Sequence, residues 1–194
     1  ALLPMKLHSE RVKGKNFKQL AGKPLFRWIL DTLLSVDDID AIVINTDAKA
    51  QLLNCGLQES KRLIIRERKT SLCGDHVSMN AILADDIEAI PAEHYLMTHT
   101  TNPLISKSTI KSALDAYLKN NLFDSLFTVN KHQTRFYNKD VLPINHDPKN
   151  LIRTQDLEPW YEENSCLYLF NRISFCPLYT SDAPDEETNL DFCG

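Results

Sequence analysis

The chain has 194 residues, 43% of them hydrophobic and 25% charged, with a formal net charge of -4. That length suits one domain with a full core, and the acidic balance excludes a general nucleic-acid binder, which is usually basic. No apolar run approaches the ~20 residues of a membrane-spanning helix, and the five cysteines show neither a Cys-x-x-Cys pair nor zinc spacing, so free thiols in a cytoplasm are expected.

Strands and helices alternate along the chain. Ala1-Leu2-Leu3-Pro4 reads as the tail of a strand, and a cationic stretch follows it: Lys6, Arg11, Lys13, Lys15, Lys18 and Lys23. A loop at the exit of a first strand is where α/β proteins hold phosphates; a solvated charged face is the other reading. The turn at Gly22-Lys23-Pro24 launches an amphipathic helix to Leu34, with proline in its first turn. Ala41-Ile42-Val43-Ile44 predicts a strand buried on both faces. Asn45-Thr46-Asp47 is then placed to cap a helix from Ala48 to Asn54.

Further on, Leu63-Ile64-Ile65 predicts a strand, Met79 to Ile90 a helix and Tyr95-Leu96-Met97 a strand. Ser106 opens a helix to about Asn120, and Leu126-Phe127-Thr128-Val129 predicts another strand. From Lys131 to Asn164 the chain is polar, aromatic and punctuated by proline. Long irregular segments are usually functional or interfacial, so residues 131–164 predict an arm that meets a second subunit or covers the site. Leu167-Tyr168-Leu169-Phe170 returns as a strand. This order predicts an α/β fold with a mainly parallel sheet and helices on both faces, its ligands at the carboxyl ends of the strands.

Lys15 and Asn16 are the sharpest candidates for chemistry: a lysine can neutralise charge developing on a leaving pyrophosphate, and Asn16 can orient it or read a ligand. Arg66, Arg68 and Lys69 form a second cationic loop, which is either a phosphate site or solvated charge. Asp75 and Ser78 precede a helix, where capping competes with ligand binding. Thr98-His99-Thr100-Thr101-Asn102 offers hydroxyls and an amide that could read a base or sugar, or shape a turn before Pro103. Gln133, Arg135, Arg153, Gln155 and Asn164 place arginines near amides, suited to an acidic substrate or to a subunit salt bridge.

In order and spacing, these segments resemble the acylneuraminate cytidylyltransferase family. The resemblance runs from Ala1 to about Phe170 and rests on Lys15-Asn16, Leu20-Ala21-Gly22-Lys23-Pro24-Leu25, Asn45-Thr46-Asp47, Leu72-Cys73-Gly74-Asp75, Thr101-Asn102-Pro103-Leu104 and the strands near Phe127 and Tyr168. It implies a three-layer αβα Rossmann-like nucleotidyltransferase fold with a dimerisation arm. It also implies transfer of CMP from CTP to an acidic sugar, with Mg2+ assistance and a homodimer as the working unit. Carried over by position, Lys15 and Asn16 would be catalytic, and Lys6, Ser9, Arg11, Arg68, Asp75 and Ser78 would bind nucleotide. Thr101, Asn102, Gln133, Arg135, Arg153, Gln155 and Asn164 would face the sugar or lie in the arm. A different sugar acceptor and a catalytically impaired nucleotide-binding remnant are the alternatives.

Two departures from the family stand out. Its first loop usually reads Arg-Gly-Gly-Ser-Lys, but here it is Lys6-Leu7-His8-Ser9-Glu10, and His99 stands where glutamine is common. The family also closes on an Asp-Ile-Asp metal motif. Residues 176–194 do not match it and resemble translated sequencing adapter, so they read as non-native sequence and no metal ligand is assigned to Asp182, Asp185 or Asp191.

Overall fold

The computed structural model describes residues 1–7, 12–119 and 123–175. The expectations for Ser9, Arg11, Glu10 and the tail fall outside the described residues.

A single mixed sheet organises the chain. β3 (Ile42–Thr46) pairs in parallel with β4 (Leu63–Glu67). Residues 1–5 run between β3 and β5 (His94–Met97), and Leu2 bridges in parallel to both Val43 and Met97. Leu2 N donates to Leu96 O at 2.7 Å and Leu3 N to Val43 O at 2.8 Å. Past β5 lies β7 (Trp160–Asn171), antiparallel both to β5 and to β6 (Ser125–His132). The order is therefore β4, β3, residues 1–5, β5, β7, β6. Because β6 opposes β7, it points the same way as β5; β7 alone is reversed among the described strands of this sheet, and the mainly parallel expectation holds. A separate small hairpin joins β1 (Gln19–Leu20) to β2 (Lys23–Pro24).

Strand side chains alternate between faces, and here both faces are covered. Leu3, Ile42, Ile44 and Leu96 enter one core with Phe26, Ile29, Leu30 and Leu33 of α1 (Leu25–Leu34) and Ile110 and Tyr117 of α4 (Lys107–Leu118). Leu52 of α2 (Lys49–Asn54) joins the same side. Leu2, Val43, Tyr95 and Met97 face the other way, onto Leu83 and Ile87 of α3 (Met79–Ala89). The result is the three-layer αβα arrangement. Each fully buried Leu, Ile or Phe contributes about 1.5–3 kcal/mol, and every residue of β3 is buried. No helix among the described residues is long and apolar enough to cross a membrane.

The helix ends follow their cap residues in two cases. Ser78 Oγ accepts from Ala81 N at 3.2 Å and Ser106 Oγ from Thr109 N at 3.1 Å. The expected cap at Asn45-Thr46-Asp47 is not made: Ala48 is the N-cap of α2 and supplies no side-chain bond. β3 runs two residues beyond Ile44, which buries Asn45 and Thr46. Asp47 Oδ1 instead accepts Leu7 N at 2.7 Å.

The arm is more regular at its base than its composition suggests. Lys131 and His132 pair with Tyr161 and Trp160, giving it a β-ribbon stem. Its outer part is irregular apart from an antiparallel bridge between Tyr137 and Pro143 and a short 3-10 turn at Thr154–Asp156. Between Phe127 and Val129 the β6–β7 register shifts, and Ser165 sits there with φ 53. Such bulges bend a strand and re-aim its side chains.

Candidate active site

The carboxyl ends of residues 1–5, β4 and β5 open onto a cleft of about 190 Å³, to which Lys6, Lys15, Arg68, Asp75, His99 and Thr101 all contribute. These come from four separate stretches of sequence, joined only by the parallel strand order.

Lys15 is held by a 3-10 turn, Lys15–Phe17. Gly14 enters that turn at φ 60, a left-handed conformation that glycine adopts freely. Phe17 anchors it edge-on against Phe26, with ring centroids 5.7 Å apart. Asn16 is buried, donating from Nδ2 to Lys6 O at 2.8 Å and accepting from Thr100 Oγ1 at 2.6 Å. Its amide thus ties three segments of the cleft wall together and orients the backbone that carries Lys15. Lys15 makes no ion pair among the described residues, so its charge is available to a ligand.

Arg68 is also buried. Its Nε donates to Asn45 Oδ1 at 2.8 Å, and its Nη2 donates to Asn45 O at 2.8 Å and Met5 O at 3.1 Å. Its neighbours Arg66 and Lys69 are spent elsewhere. Arg66 Nη2 lies 2.9 Å from Asp85 Oδ2, and its Nη1 contacts Asp86 Oδ1. Lys69 Nζ lies 2.5 Å from Asp85 Oδ1. Burial works to raise the Asp85 carboxyl, yet Lys69 and Arg66 hold it below its usual range. Burial raises the Asp86 carboxyl, against the pull of Asn45 and Arg66. The cationic loop seen in sequence therefore divides: two cations are paired on α3, and Arg68 serves the cleft.

Lys6 and Asp75 pair with each other across the cleft mouth. Both are well exposed, so the pair adds little stability and can open to a ligand. Ser78 caps α3 between Val77 and Met79, which line the cleft. His99 is held below its usual pKa, by burial first and by the charge of Lys15 second, which keeps its imidazole neutral near pH 7.

The remaining candidates are not brought to the cleft within one chain. Asn102 Nδ2 donates to Ser165 O at 3.1 Å and fastens the β5 exit to the bulge of β7. Asn164 Oδ1 accepts from Thr128 Oγ1 at 2.7 Å inside that bulge. Gln133 Nε2 donates to Gln155 O at 2.9 Å, and Arg135 Nη2 to Ile152 O at 2.6 Å, both within the arm. Arg153 forms a two-pronged pair with Asp156, at 2.7 and 2.9 Å.

Sequence reasoning took Thr100 only as one of several hydroxyls that could read a base or sugar or shape a turn, and it passed over Asn45 as a buried group and Asp86. The signal was present for the last two. Asn45 continues the apolar run of β3, and Asp86 falls between the apolar positions Leu83 and Ile87 of α3. Polar residues at positions the pattern assigns to the core need a partner.

A mainly parallel sheet with a cationic cleft at its carboxyl edge defines a nucleotide-handling α/β protein. The family model described as Cytidylyltransferase matches residues 1–187, and the chain belongs to that family of nucleotidyltransferase enzymes. Among curated proteins it is similar to the pseudaminic acid cytidylyltransferase of Campylobacter jejuni subsp. jejuni, 25% identical over 178 residues, covering 86% of this chain and 75% of that one. It is also similar to the N-acylneuraminate cytidylyltransferase of Oncorhynchus mykiss, 25% identical over 183 residues, covering 90% of this chain and 41% of the relative. Among solved structures, CMP:2-keto-3-deoxy-manno-octonic acid synthetase complexed with CTP shares the fold, with a TM-score of 0.69 at 15% identity, covering 96% of this chain and 78% of the other. The 4-diphosphocytidyl-2C-methyl-D-erythritol synthase of Anaerococcus prevotii aligns with a TM-score of 0.59 at 14% identity, covering 88% and 70%.

Proposed function

We propose that this protein transfers CMP from CTP to an acidic, nonulosonic-acid-like sugar and releases pyrophosphate. The observation that carries the reading is the pairing of Lys15 and Arg68 in one cleft at the carboxyl edge of the sheet. A sugar hydroxyl attacks the α-phosphorus of CTP, the bond to the α–β bridging oxygen breaks, and the hydroxyl proton is lost. Negative charge grows on the leaving pyrophosphate, where preorganised cations lower the barrier most. Lys15 is the flexible point charge for that task; Arg68 is a fixed one. Lys6 adds a third cation when Asp75 releases it. The two curated relatives described above are named for acidic sugars, which favours an acceptor of that kind.

Mg2+ is the cofactor that the family resemblance implies. It is commonly bound through one or two carboxylates together with substrate phosphates. Asp75 is the carboxylate lining the cleft among the described residues, and no group of three or more His, Cys, Asp or Glu gathers to hold a metal among them. This donor set fits a metal that enters with the nucleotide, with Asp75 as its protein ligand. Once bound, it would neutralise phosphate charge.

We further assign the working unit as a homodimer in which the arm carries Gln133, Arg135, Arg153 and Gln155 towards the acceptor side of the neighbouring cleft. The unpaired thiols of Cys55, Cys73 and Cys166 suit a reducing cytoplasm.

The test is pyrophosphate release with CTP, Mg2+ and a panel of nonulosonic acids. Release that depends on an acidic sugar is expected. CTP binding without release for any member of the panel would reject the transferase reading.

A further inference from the structure

We propose that Asn45 and Asp86, neither of which can touch a ligand, are positioning residues that aim Arg68 into the nucleotide cleft. The inference rests on the CTP reading of that cleft and adds to it the machinery behind one of its cations.

Both residues are fully buried, at 0% exposure. Asn45 stands between two charged groups of opposite sign. On one side its Oδ1 accepts from Arg68 Nε at 2.8 Å; on the other its Nδ2 donates to Asp86 Oδ1 at 2.8 Å. A guanidinium offers only donors, and a carboxylate offers acceptors. The amide can therefore satisfy both neighbours in one orientation only. Rotated by half a turn, it would set its NH2 against the guanidinium and its oxygen against the carboxylate. Asp86 thus fixes the amide, and the amide fixes the Arg68 side chain. Asp86 is itself held by Arg66 Nη1, while Asp86 Oδ2 has no hydrogen-bond partner.

The purpose of such a relay follows from what Arg68 spends. Nε and Nη2 are committed to Asn45 and Met5. Nη1 makes no hydrogen bond among the described residues, and Arg68 lines the cleft. Holding the inner edge of the guanidinium presents the outer donors to an anion without further loss of side-chain freedom. The chain of contacts also joins α3 to β3 and to the loop after β4, so the cation's position is set by three elements.

A double-mutant cycle on CTP affinity, measured calorimetrically with the full chain, tests the relay. Asn45→Ala and Arg68→Ala are each expected to weaken CTP about tenfold, equivalent to ~1.4 kcal/mol. If Asn45 acts through Arg68, the double variant binds no more weakly than Arg68→Ala. Additive losses, about a hundredfold in the double variant, would overturn the positioning role. A wild-type chain that binds no CTP would instead overturn the nucleotide reading on which it stands. Asp86→Asn, nearly isosteric, repeats the cycle if Asn45→Ala does not fold. The wild-type protein provides a third reading by NMR: the Arg68 Nε–H should exchange slowly with solvent, and rapid exchange overturns the relay.

Discussion

Thr100 Oγ1 donates to Asn16 Oδ1 at 2.6 Å, joining stretches 84 positions apart in the chain. Both groups are buried, and the bond connects the exit of β5 to the turn that carries Lys15. One hydroxyl thereby sets the distance between the two walls of the cleft.

Thr100→Val keeps the shape of the side chain and removes the donor. It leaves a buried amide oxygen unsatisfied, which costs about 1–3 kcal/mol. Denaturant unfolding should show a lower midpoint at an unchanged slope. Pyrophosphate release should also slow, because Lys15 loses its backing. Thr100→Ser, which restores the hydroxyl, should recover most of both. An unchanged midpoint in Thr100→Val would show that the bond carries no net stability.

Lys15→Ala should separate chemistry from folding. Lys15 makes no ion pair among the described residues, so its removal should change stability by less than about 0.5 kcal/mol. Removing a charge that stabilises the transition state should lower turnover by about 10²–10³-fold. Pyrophosphate release beside a melting curve checks both. Equal turnover in the variant would reject the assigned role of Lys15.

His99 gives the cleft a dependence on pH. Its folded pKa lies below the ordinary value of 6.5, because burial and the charge of Lys15 both disfavour the imidazolium. The unfolded chain therefore binds this proton first as pH falls. The contribution of His99 to stability is complete above 6.5 and is lost as pH drops through the lower folded value. His99→Gln should flatten the fall in stability between neutral and mildly acidic pH. Lys15→Met should move the His99 titration upward, by removing the opposing charge while burial continues to depress it. Following the imidazole resonance across that range would decide the matter; a titration at 6.5 or above in the wild type contradicts it.

Much of this architecture could be read from periodicity. The β-branched run at Ala41 to Ile44 marked a buried strand, the spacing of Phe26, Ile29, Leu30 and Leu33 marked α1, and Ser78 and Ser106 marked helix starts. All depend on local patterns. The division of labour among Arg66, Arg68 and Lys69 could not be read this way. It depends on Asp85 and Asp86 lying opposite them on another element, and nearest-neighbour spacing carries no such information. For the same reason the sequence left two roles open for Asn16, orienting Lys15 or reading a ligand; its amide is engaged by Lys6 O and Thr100, which favours the first. Loop composition shows which groups are present, whereas pairing across the sheet decides which remain available. The regular stem of the arm was hidden differently: strand pairing between residues 131–132 and 160–161 is long-range, and neither half alternates strongly enough to reveal it.

The arm leads to the last prediction. Val141, Leu151 and Tyr161 are 75%, 63% and 61% exposed in the single chain. All three belong to the arm at residues 131–164, and apolar side chains left exposed along such an arm suit contact with a second subunit; a homodimer is the expected state. Val141 also adopts φ 61, a left-handed conformation costly for a β-branched side chain. Asparagine tolerates that conformation well, so Val141→Asn removes an apolar contact while relieving the backbone. Combined with Leu151→Glu, it should convert the dimer to a monomer by light scattering without lowering the stability of the monomer. If the arm also reaches the neighbouring cleft, the monomeric variant should bind CTP as tightly as the wild type while KM for the acidic sugar rises. A dimer that persists in the double variant, or CTP affinity that falls together with sugar affinity, would place the subunit contact elsewhere.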